Sequence, residues 1–209
     1  MDPNTNEAVK DPKQEDSCGI ASSLFDYVEV FVFAAAFVIL LMTFCFRICV
    51  VSGPSMNNTL QNGERLIVSD LFYEPQQGDI IVFHQTSDRY ETFNEPIVKR
   101  VIATGGQYVY IDYQSNHVYV SNDKEFTPDE ILDESAYALF AHPNGTWKEA
   151  AMGLSDETFA VPEGYLFVMG DNRNNSADSR SDYVGLVDER RVLGKVLFRL
   201  APFTNFMGD

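Results

Sequence analysis

The sequence predicts a mainly β fold: a membrane-anchored, β-rich domain with one N-terminal transmembrane α-helix. Two observations support this fold class. Residues 30 to 46 form a run of 17 residues, almost all apolar and none charged. After residue 50 the chain changes to short apolar and aromatic runs separated by Gly, Pro, Asn and Asp, which is typical of β-strands joined by turns. The length of 209 residues leaves room for one sizeable domain besides the anchor.

The N-terminal part predicts a tail followed by an anchor. Residues 1 to 23 are polar, contain two prolines and show no periodicity, so we expect a flexible, acidic tail without a fold. As a helix, the apolar run would span roughly 26 Å, close to the ~30 Å hydrocarbon core of a bilayer. Residues Ile48 to Val51 would extend this span, and we therefore assign residues 24 to 50 to the transmembrane anchor.

A cleavable secretory signal peptide would also place an apolar run near the N-terminus. Two features favour an uncleaved anchor instead. The run is longer than the usual apolar core of a signal peptide, and the sequence RICVVSGPSM that follows offers no small-x-small cleavage site. Charge does not establish the orientation, because the tail up to Glu29 has two lysines against seven acids, and Arg47 favours the opposite orientation.

Short alternating segments predict a β-rich domain over residues 51 to 209. The clearest hairpin is QYVYIDYQSNHVYVSN, with its turn at residues 114 to 116, and PEGYLF supplies another tight turn. Only residues 129 to 142, DEILDESAYALFAH, have helical character, inside a variable excursion over residues 112 to 158. The predicted strands are ERLIVSDLF, GDIIVFHQ, PIVKRVIAT, QYVYIDYQ, HVYVSN, TFAVPE, GYLFVMG and VLGKVLFRL.

Composition excludes several classes of function. The formal net charge of −16 argues against nucleic acid as a partner, because binding a phosphate backbone needs a surplus of Lys and Arg. The three cysteines all precede residue 50, so the main domain can contain no disulfide. Three scattered histidines without metal-ligand spacing disfavour a metal enzyme, and we expect neither a metal nor a cofactor.

Three stretches carry residues suited to catalysis. VVSGPSMNNTL, residues 50 to 60, presents Ser55 after a Gly-Pro pair close to the predicted membrane surface. IVKRVIATGG places Lys99 and Arg100 inside an otherwise apolar strand, where one of them must face the core or a cleft. GDNRNNSADSR, residues 170 to 180, concentrates short polar side chains, arginines and aspartates directly after an apolar strand, although a surface loop rich in salt bridges has the same composition.

A serine nucleophile needs a base within hydrogen-bond reach, and two bases are candidates. Lys99 would have to lose its proton, which costs about 4 to 5 kcal/mol at neutral pH unless burial lowers its pKa. A lysine inside an apolar strand meets that condition. The rival is His84, which would need an acid such as Asp88 to complete a Ser-His-Asp set.

Taken together, these segments resemble the bacterial type I signal peptidases, serine proteases that use a Ser-Lys dyad. The resemblance covers residues 25 to 201: an anchor, then SGPSMNNTL, QNGERLIV with GDIIVF, VKRVIATGG and GDNRNNSADSR, in the family's order. The resemblance implies that Ser55 attacks the scissile carbonyl and that Lys99 takes its proton and later delivers it to the leaving amine. Ser176 matches the serine that orients the lysine amine by a hydrogen bond.

The resemblance also implies a supporting scaffold and an oxyanion site. Asp178, with Arg180 and Arg100, would form ion pairs behind the dyad, and the backbone N–H of Ser55 would donate to the oxyanion. Gly53 stands where one branch of the family has a serine whose hydroxyl adds to that site. A glycine at this position resembles the Gram-positive branch.

Substrate pockets follow from the same resemblance. Small, shallow pockets would explain the family's preference for Ala-x-Ala sites, and we expect Val98 and Met56 to form their walls, with Gly53 nearby. Met56 could also dip the rim of the site into lipid; the alternative for Met56 is ordinary core filling. Two departures from the family pattern are Asn58, where proline is common, and residues 103 to 107 (ATGGQ), where Gly-x-Pro-Gly-Asp is common.

The resemblance implies a membrane-bound endopeptidase that removes signal peptides from exported preproteins after small-x-small sites. Its partners would be those signal peptides and the lipid bilayer, with contact to the translocon left open. The domain would lie outside the cytoplasm, on a single-pass anchor whose N-terminus is cytoplasmic. Two alternatives stand beside it: a dyad peptidase dedicated to a narrow set of precursors, and a non-catalytic, membrane-tethered β-domain that binds signal sequences or envelope proteins.

Overall fold

A computed structural model of the chain describes residues 12–86, 94–113, 115–139, 158–181 and 183–200. The chain divides into two compact units, residues 1–44 and 45–209. The first unit is helical and the second is built from β-strands, so the structure confirms the predicted fold class of a mainly β protein with one N-terminal apolar helix.

The helix α1 spans Pro12–Cys45. Its part from Leu24 to Cys45 is 22 residues long with a mean hydropathy of 2.5, and none of its most apolar 18-residue window is buried within the protein. A helix that is apolar all round and uncovered by its own protein has the length and composition to cross a membrane. The prediction of an unfolded tail up to residue 23 is wrong from Pro12 onward, where the backbone is already helical; residues 1–11 lie outside the described residues.

The predicted anchor extends too far at its C-terminal end. Arg47–Val50 form the strand β1 and not a helix, and β1 pairs antiparallel with the next strand through Val50 opposite Arg65. A four-residue apolar run that follows a longer one is compatible with either structure, because apolar runs alone do not separate a buried helix from a strand. Only the pairing partner distinguishes them.

The described residues form ten strands in two sheets, in which all neighbouring strands run antiparallel. All eight predicted strand segments contain a strand, and sequence reasoning missed only β1 and the two-residue β9 among the described residues. The strands are β1 (Arg47–Val50), β2 (Arg65–Ser69), β3 (Ile80–Thr86), β4 (Asn94–Ala103), β5 (Tyr108–Asp112), β6 (His117–Ser121), β7 (Phe159–Ala160), β8 (Tyr165–Met169), β9 (Val187–Asp188) and β10 (Val192–Leu200).

The larger sheet has the strand order β1-β2-β10-β3-β4-β8-β9, and the smaller has the order β6-β5-β7. The strand β10 therefore inserts between β2 and β3. In the centre, β3 pairs over its whole length with residues Asn94 to Arg100 of β4. On its other side, β4 pairs with β8 only from Arg100 to Ala103, which leaves one edge of residues 94–99 without a partner strand among the described residues.

The central strands are buried on both faces. In β8, Leu166 and Val168 pack into one apolar cluster with Val101, whereas Phe167 and Met169 pack into another with Ile102. Successive side chains of a strand point to opposite faces, so a strand buried on both faces needs an unbroken apolar run. This requirement explains the sequence YLFVM. A third cluster lies under β2 and the segment that follows β1, and contains Met56, Leu60 and Val82.

The turns agree with the sequence, and the predicted helix does not. The β5–β6 hairpin and the Pro162 to Tyr165 turn are confirmed. Over the described residues 129–139 there is no α-helix: a single 3₁₀ turn, Pro128–Glu130, is followed by Ile131, which bridges to β6. Side-chain carboxylates take the backbone donors here, as when Asp133 accepts from the Ser135 N–H at 3.1 Å, and such local bonds compete with a helix. Residues 140–142 of the predicted helix lie outside the described residues.

Candidate active site

Ser55 lies in a tight loop between β1 and β2. The Gly53 N–H donates to the Asn62 side-chain oxygen at 2.9 Å, and the Asn57 N–H donates to the Pro54 carbonyl at 3.0 Å. Gly53 has φ of +88°, a conformation that strains any residue with a Cβ, while an added Cβ would meet nothing within 4 Å. Backbone conformation, and not lack of space, is therefore what favours glycine at this position.

Lys99 brings its amine to the Ser55 hydroxyl from the neighbouring strand β4. Its Nζ donates to Ser55 Oγ at 2.7 Å, and the side chain is only 4% exposed. Burial lowers the pKa of Lys99 from its ordinary value to about 8; the carboxylate of Asp178 raises it, the guanidinium of Arg180 lowers it and Asp171 raises it. The ion pairs formed by the described residues do not include Lys99. The amine is therefore buried without a carboxylate partner, as a general base requires.

The loop at residues 170–180 contains a buried ion pair behind the dyad. Arg180 donates to both carboxylate oxygens of Asp178 at 2.8 Å, and the Gly170 N–H donates to the same carboxylate at 2.9 Å. Burial opposes the charge on Asp178, but Arg180 and these hydrogen bonds outweigh burial and lower the pKa of this carboxyl. The predicted pairing of Asp178 with Arg180 is thus present, and both side chains are charged.

Arg100 does not join that pair, which corrects the predicted scaffold. It donates instead to both carboxylate oxygens of Asp171, at 2.8 and 2.7 Å, and to the Gly78 carbonyl at 2.8 Å. The β4–β8 register explains this partner, because Arg100 lies opposite Met169, two residues before Asp171. Asp171 also accepts a hydrogen bond from Thr59, which lies in the loop between β1 and β2 that contains Ser55. We call this loop, residues 51–64, the serine loop.

Ser176 reaches the site but does not form the predicted contact. Its Oγ is buried beside Asp178, whose pKa it helps to lower, yet it makes no well-aligned hydrogen bond to any described residue. The hydrogen bond from Ser176 to Lys99 is therefore absent in this conformation, and its orienting role stays a prediction. Gly170 packs so closely here that an added Cβ would lie 2.2 Å from Ser176 Oγ and 2.5 Å from the Ser55 carbonyl oxygen.

An apolar groove of about 540 Å³ leads to the dyad. Val98 lines it, as predicted. Met56 does not: it is fully buried among Leu60 and its neighbours, so the interpretation of Met56 as a lipid-facing rim or pocket wall is wrong and core filling explains it. The groove is lined by residues of β1 and of the serine loop (Ile48, Cys49, Val50, Val51, Ser52, Ser55), by Leu66 and Val82, and by β4 residues Glu95 to Lys99.

The rival base is poorly placed. His84 lies opposite Pro96 in the β3–β4 pairing, three residues along β3 from Ile81, the partner of Lys99. Asp88, the acid that would have to orient this histidine, lies outside the described residues. No group of three His, Cys, Asp or Glu side chains among the described residues could hold a metal ion.

Sequence reasoning missed the residues that hold the 170–180 loop in place. Asn172 donates from its backbone to the Ser55 carbonyl, and Arg173 pairs with Glu134 in a fully desolvated contact. Tyr137 lies under the Arg100 guanidinium. A buried arginine needs a carboxylate partner, because an unpaired buried charge is strongly destabilising. Composition does not show which acidic residue of the excursion over residues 112–158 is that partner.

The arrangement is that of a nucleophile with its general base: a hydroxyl accepts a hydrogen bond from a buried amine whose pKa lies close to neutral pH. It can transfer an acyl group to Ser55 and then to water. Fold and site together fit the class of serine hydrolases.

Comparison with known proteins gives the family. The chain matches the family model described as signal peptidase, peptidase S26, over residues 24–201. It is 34% identical over 184 residues to signal peptidase IB of Staphylococcus aureus, covering 83% of this chain and 88% of that protein. It is also 34% identical over 196 residues to signal peptidase I of Bacillus licheniformis, covering 91% of this chain and 95% of that protein. The crystal structure of a signal peptidase I from Enterococcus faecalis matches with a TM-score of 0.40 and 29% identity, over 60% of this chain and 98% of that chain.

The chain belongs to the signal peptidase family, peptidase S26. It is a hydrolase and a serine protease of the class that cleaves signal peptides, and its apolar N-terminal helix fits a membrane anchor.

Proposed function

We propose that this enzyme cleaves signal peptides from exported preproteins after small-x-small sites, with Ser55 as nucleophile and neutral Lys99 as general base. The observation that carries the proposal is the 2.7 Å hydrogen bond between Lys99 Nζ and Ser55 Oγ in a site that excludes water from the amine. With a pKa of about 8, roughly a tenth of Lys99 is neutral at pH 7. A base of this kind accelerates proton transfer by about 10² to 10⁴-fold.

The catalytic cycle follows from this pair. Neutral Lys99 takes the proton of Ser55 as Oγ attacks the scissile carbonyl carbon, and the Ser55 N–H, which makes no hydrogen bond among the described residues, donates to the oxyanion. Protonated Lys99 then gives the proton to the leaving amine, which departs as the new N-terminus. Neutral Lys99 then takes a proton from a water molecule as that water attacks the acyl carbon. When the bond from the acyl carbon to Ser55 Oγ breaks, Lys99 returns this proton to Oγ, and the signal peptide leaves with a new carboxyl group.

The groove suits an extended peptide with small side chains. The edge of β4 along residues 94–99 lacks a partner strand among the described residues, so its backbone groups can pair with a substrate strand. Branched apolar side chains such as Val51, Val82 and Val98 line the groove, and such a lining accepts small apolar side chains such as that of Ala. These features support an Ala-x-Ala preference.

Exposed apolar side chains near the groove support the bilayer as a partner. Phe72 is 97% exposed at the end of β2, and Ile48 and Phe198, both mostly exposed, lie in register with Ile67 across three neighbouring strands. Contact between apolar side chains and water is unfavourable, so monomeric soluble proteins rarely expose such a patch. Contact with the apolar part of a lipid bilayer removes this cost. We propose that this face, and not Met56, contacts lipid, with the β unit outside the cytoplasm and the N-terminus inside.

The test is cleavage of a purified preprotein with an Ala-x-Ala site, in liposomes, by wild type, Ser55→Ala and Lys99→Ala. We expect the wild type to cut at that site and both variants to be silent while folded, as circular dichroism would verify. Full activity of Lys99→Ala would transfer the role of base to another group, first of all His84. A wild type that binds the preprotein without cutting it would make the chain a tethered binding domain.

A narrow substrate set remains the second enzymatic possibility. The same assay with a panel of unrelated preproteins measures it directly, because a dedicated enzyme would cut only one or a few of them. Cleavage across the panel at similar kcat/KM supports a general signal peptidase.

A further inference from the structure

One residue of the 170–180 loop, Asn172, hydrogen-bonds to the backbone at Ser55 and at the residue before it. The Asn172 backbone N–H donates to the Ser55 carbonyl at 3.0 Å, and its side-chain amide donates to the Pro54 carbonyl at 3.1 Å. Asn172 is 6% exposed, so these bonds are shielded from water. Any shift of Asn172 would therefore carry the serine loop with it.

Asn172 is held from its other side by the chain segment 134–139, which we call the clamp. The Leu139 N–H donates to the Asp171 carbonyl at 2.7 Å, and the Arg173 N–H donates to the Leu139 carbonyl at 3.1 Å, so that Leu139 brackets Asn172 in a parallel β-bridge. Asn172 thus lies between the clamp and the serine loop.

Side chains of the clamp fix the two residues next to Asn172. Glu134 forms a buried bidentate pair with Arg173, whose side chain is fully buried. The Tyr137 ring lies under the Arg100 guanidinium, 3.9 Å from its carbon to the ring centroid, and Arg100 holds the Asp171 carboxylate. Tyr137 therefore acts on Asp171 through Arg100. Glu134 holds Arg173 directly.

The clamp is itself a preformed turn. The N–H groups of Tyr137 and Ala138 both donate to the Glu134 carbonyl, at 3.1 and 2.9 Å, and the Tyr137 hydroxyl donates to the Glu134 carboxylate at 3.3 Å. Such a turn needs no substrate to form. It lies in the excursion over residues 112–158, where no motif of the sequence indicated a role in catalysis.

We propose that the clamp positions the nucleophile, with Tyr137 and Glu134 as positioning residues that act through Arg100, Arg173 and Asn172 on Ser55. The proposal rests on the function proposed above for Ser55 and Lys99. A displacement of about 1 Å in a reacting group can cost about 10²-fold in rate, whereas folding tolerates it. The clamp therefore matters more for kcat than for stability or substrate binding.

The test compares Tyr137→Ala with Tyr137→Phe in the full chain, in liposomes, on the same Ala-x-Ala preprotein. Removing the ring frees Arg100 to move, so we expect kcat to fall about 10- to 100-fold with KM within about twofold of wild type. Phenylalanine keeps the ring under the guanidinium and is expected to restore most of the rate. The folded fraction, measured by thermal unfolding, corrects each kcat.

The matched control is Tyr73→Ala. Tyr73 is also half-buried, donates its hydroxyl to a carboxylate (Asp79, 2.9 Å) and has a cation 6.0 Å from its ring centroid (Lys195). Its contacts with the described residues include neither the loop that contains Ser55 nor the 170–180 loop. We expect this variant to lose stability without loss of kcat in the folded fraction. If Tyr137→Ala does not fold, Tyr137→Leu keeps apolar volume and removes only the ring face.

Three outcomes would contradict the proposal that the clamp positions Ser55. They are an unchanged kcat in folded Tyr137→Ala or Tyr137→Leu, an equal loss in Tyr73→Ala, and no recovery in Tyr137→Phe. Each leaves the function proposed for Ser55 intact, provided that wild type cuts and Ser55→Ala does not. If wild type fails to cut, it is the proposed function that fails, and the clamp with it.

Discussion

Lys99 and Arg100 are neighbours on one strand, but their surroundings have opposite effects on their positive charges. The surroundings of Lys99 destabilise its charge, and those of Arg100 stabilise its charge. Lys99 is buried against a hydroxyl with no carboxylate in contact, and burial lowers its pKa to about 8. Arg100 meets the Asp171 carboxylate through two hydrogen bonds and stays charged. The same contrast separates the dyad from the 170–180 loop, where Arg180 and Arg173 each have a carboxylate partner.

The difference shows how one domain can contain both a base and a rigid cationic scaffold. A buried cation without a partner is destabilised and tends to lose its proton, which turns an ammonium into a usable base. A buried cation with a bidentate carboxylate keeps its charge and fixes geometry. A buried lysine can lose its proton in this way. A buried arginine cannot, because the guanidinium group is not deprotonated in proteins.

The largest expected effect comes from removing one member of a buried pair. Asp178→Asn leaves Arg180 as an uncompensated buried charge, so the free energy of unfolding should fall by about 3 to 5 kcal/mol, measured by denaturant unfolding in detergent. The control is Asp188→Asn, because Asp188 forms the same Asp-x-Arg pair with Arg190, whose side chain is 87% exposed. Equal losses in the two variants would contradict the importance of burial.

A stabilised but inactive enzyme is expected from Lys99→Met. At neutral pH the wild type buries a charged lysine, and the pKa shift from 10.5 to about 8 corresponds to roughly 3 kcal/mol of lost stability, which methionine should recover. Because the folded state binds the proton less well than the unfolded state, wild-type stability should rise between pH 8 and pH 10.5 and approach that of the variant. Arg100→Met should instead lower the free energy of unfolding, because it leaves the buried carboxylate of Asp171 without its ion-pair partner. If both variants changed the free energy of unfolding in the same direction, the contrast between Lys99 and Arg100 would be wrong.

The smallest effect is a pH dependence of rate in the wild type. If neutral Lys99 is the general base, as proposed, kcat/KM should rise about tenfold per pH unit below pH 8 and level off above it. Initial cleavage rates between pH 6 and pH 9.5, with unfolding curves at each pH to verify the fold, give the profile. An inflection between pH 6 and 7 would indicate a histidine in place of the lysine.

The sequence predicted most of the strands because their periodicity is local. It also brought Ser55 and Lys99 together as candidates, since a serine after Gly-Pro and a lysine in an apolar strand each need an explanation. The pair Asp178–Arg180 was predicted only from the resemblance to the family, and the structure contains this ion pair.

Contacts that depend on strand register could not be predicted in this way. The partner of Arg100 is set by the pairing of β4 with β8, which places Asp171 and not Asp178 within reach. Glu134 lies in a segment with several acids, and only the fold selects the one that meets Arg173. Met56 failed as a pocket residue because a methionine beside a nucleophile can point into the core or into a groove equally well.

The unpaired edge of β4 has a consequence for the solubility of the enzyme. An open strand edge attracts the edges of other chains, so the feature that would hold a peptide also invites aggregation between copies. The edge is short, and it contains Pro96, which has no N–H to donate, beside the exposed charge of Glu95. Both features discourage a lasting strand-to-strand association. A variant that replaced them with valine and threonine should self-associate more readily at high concentration.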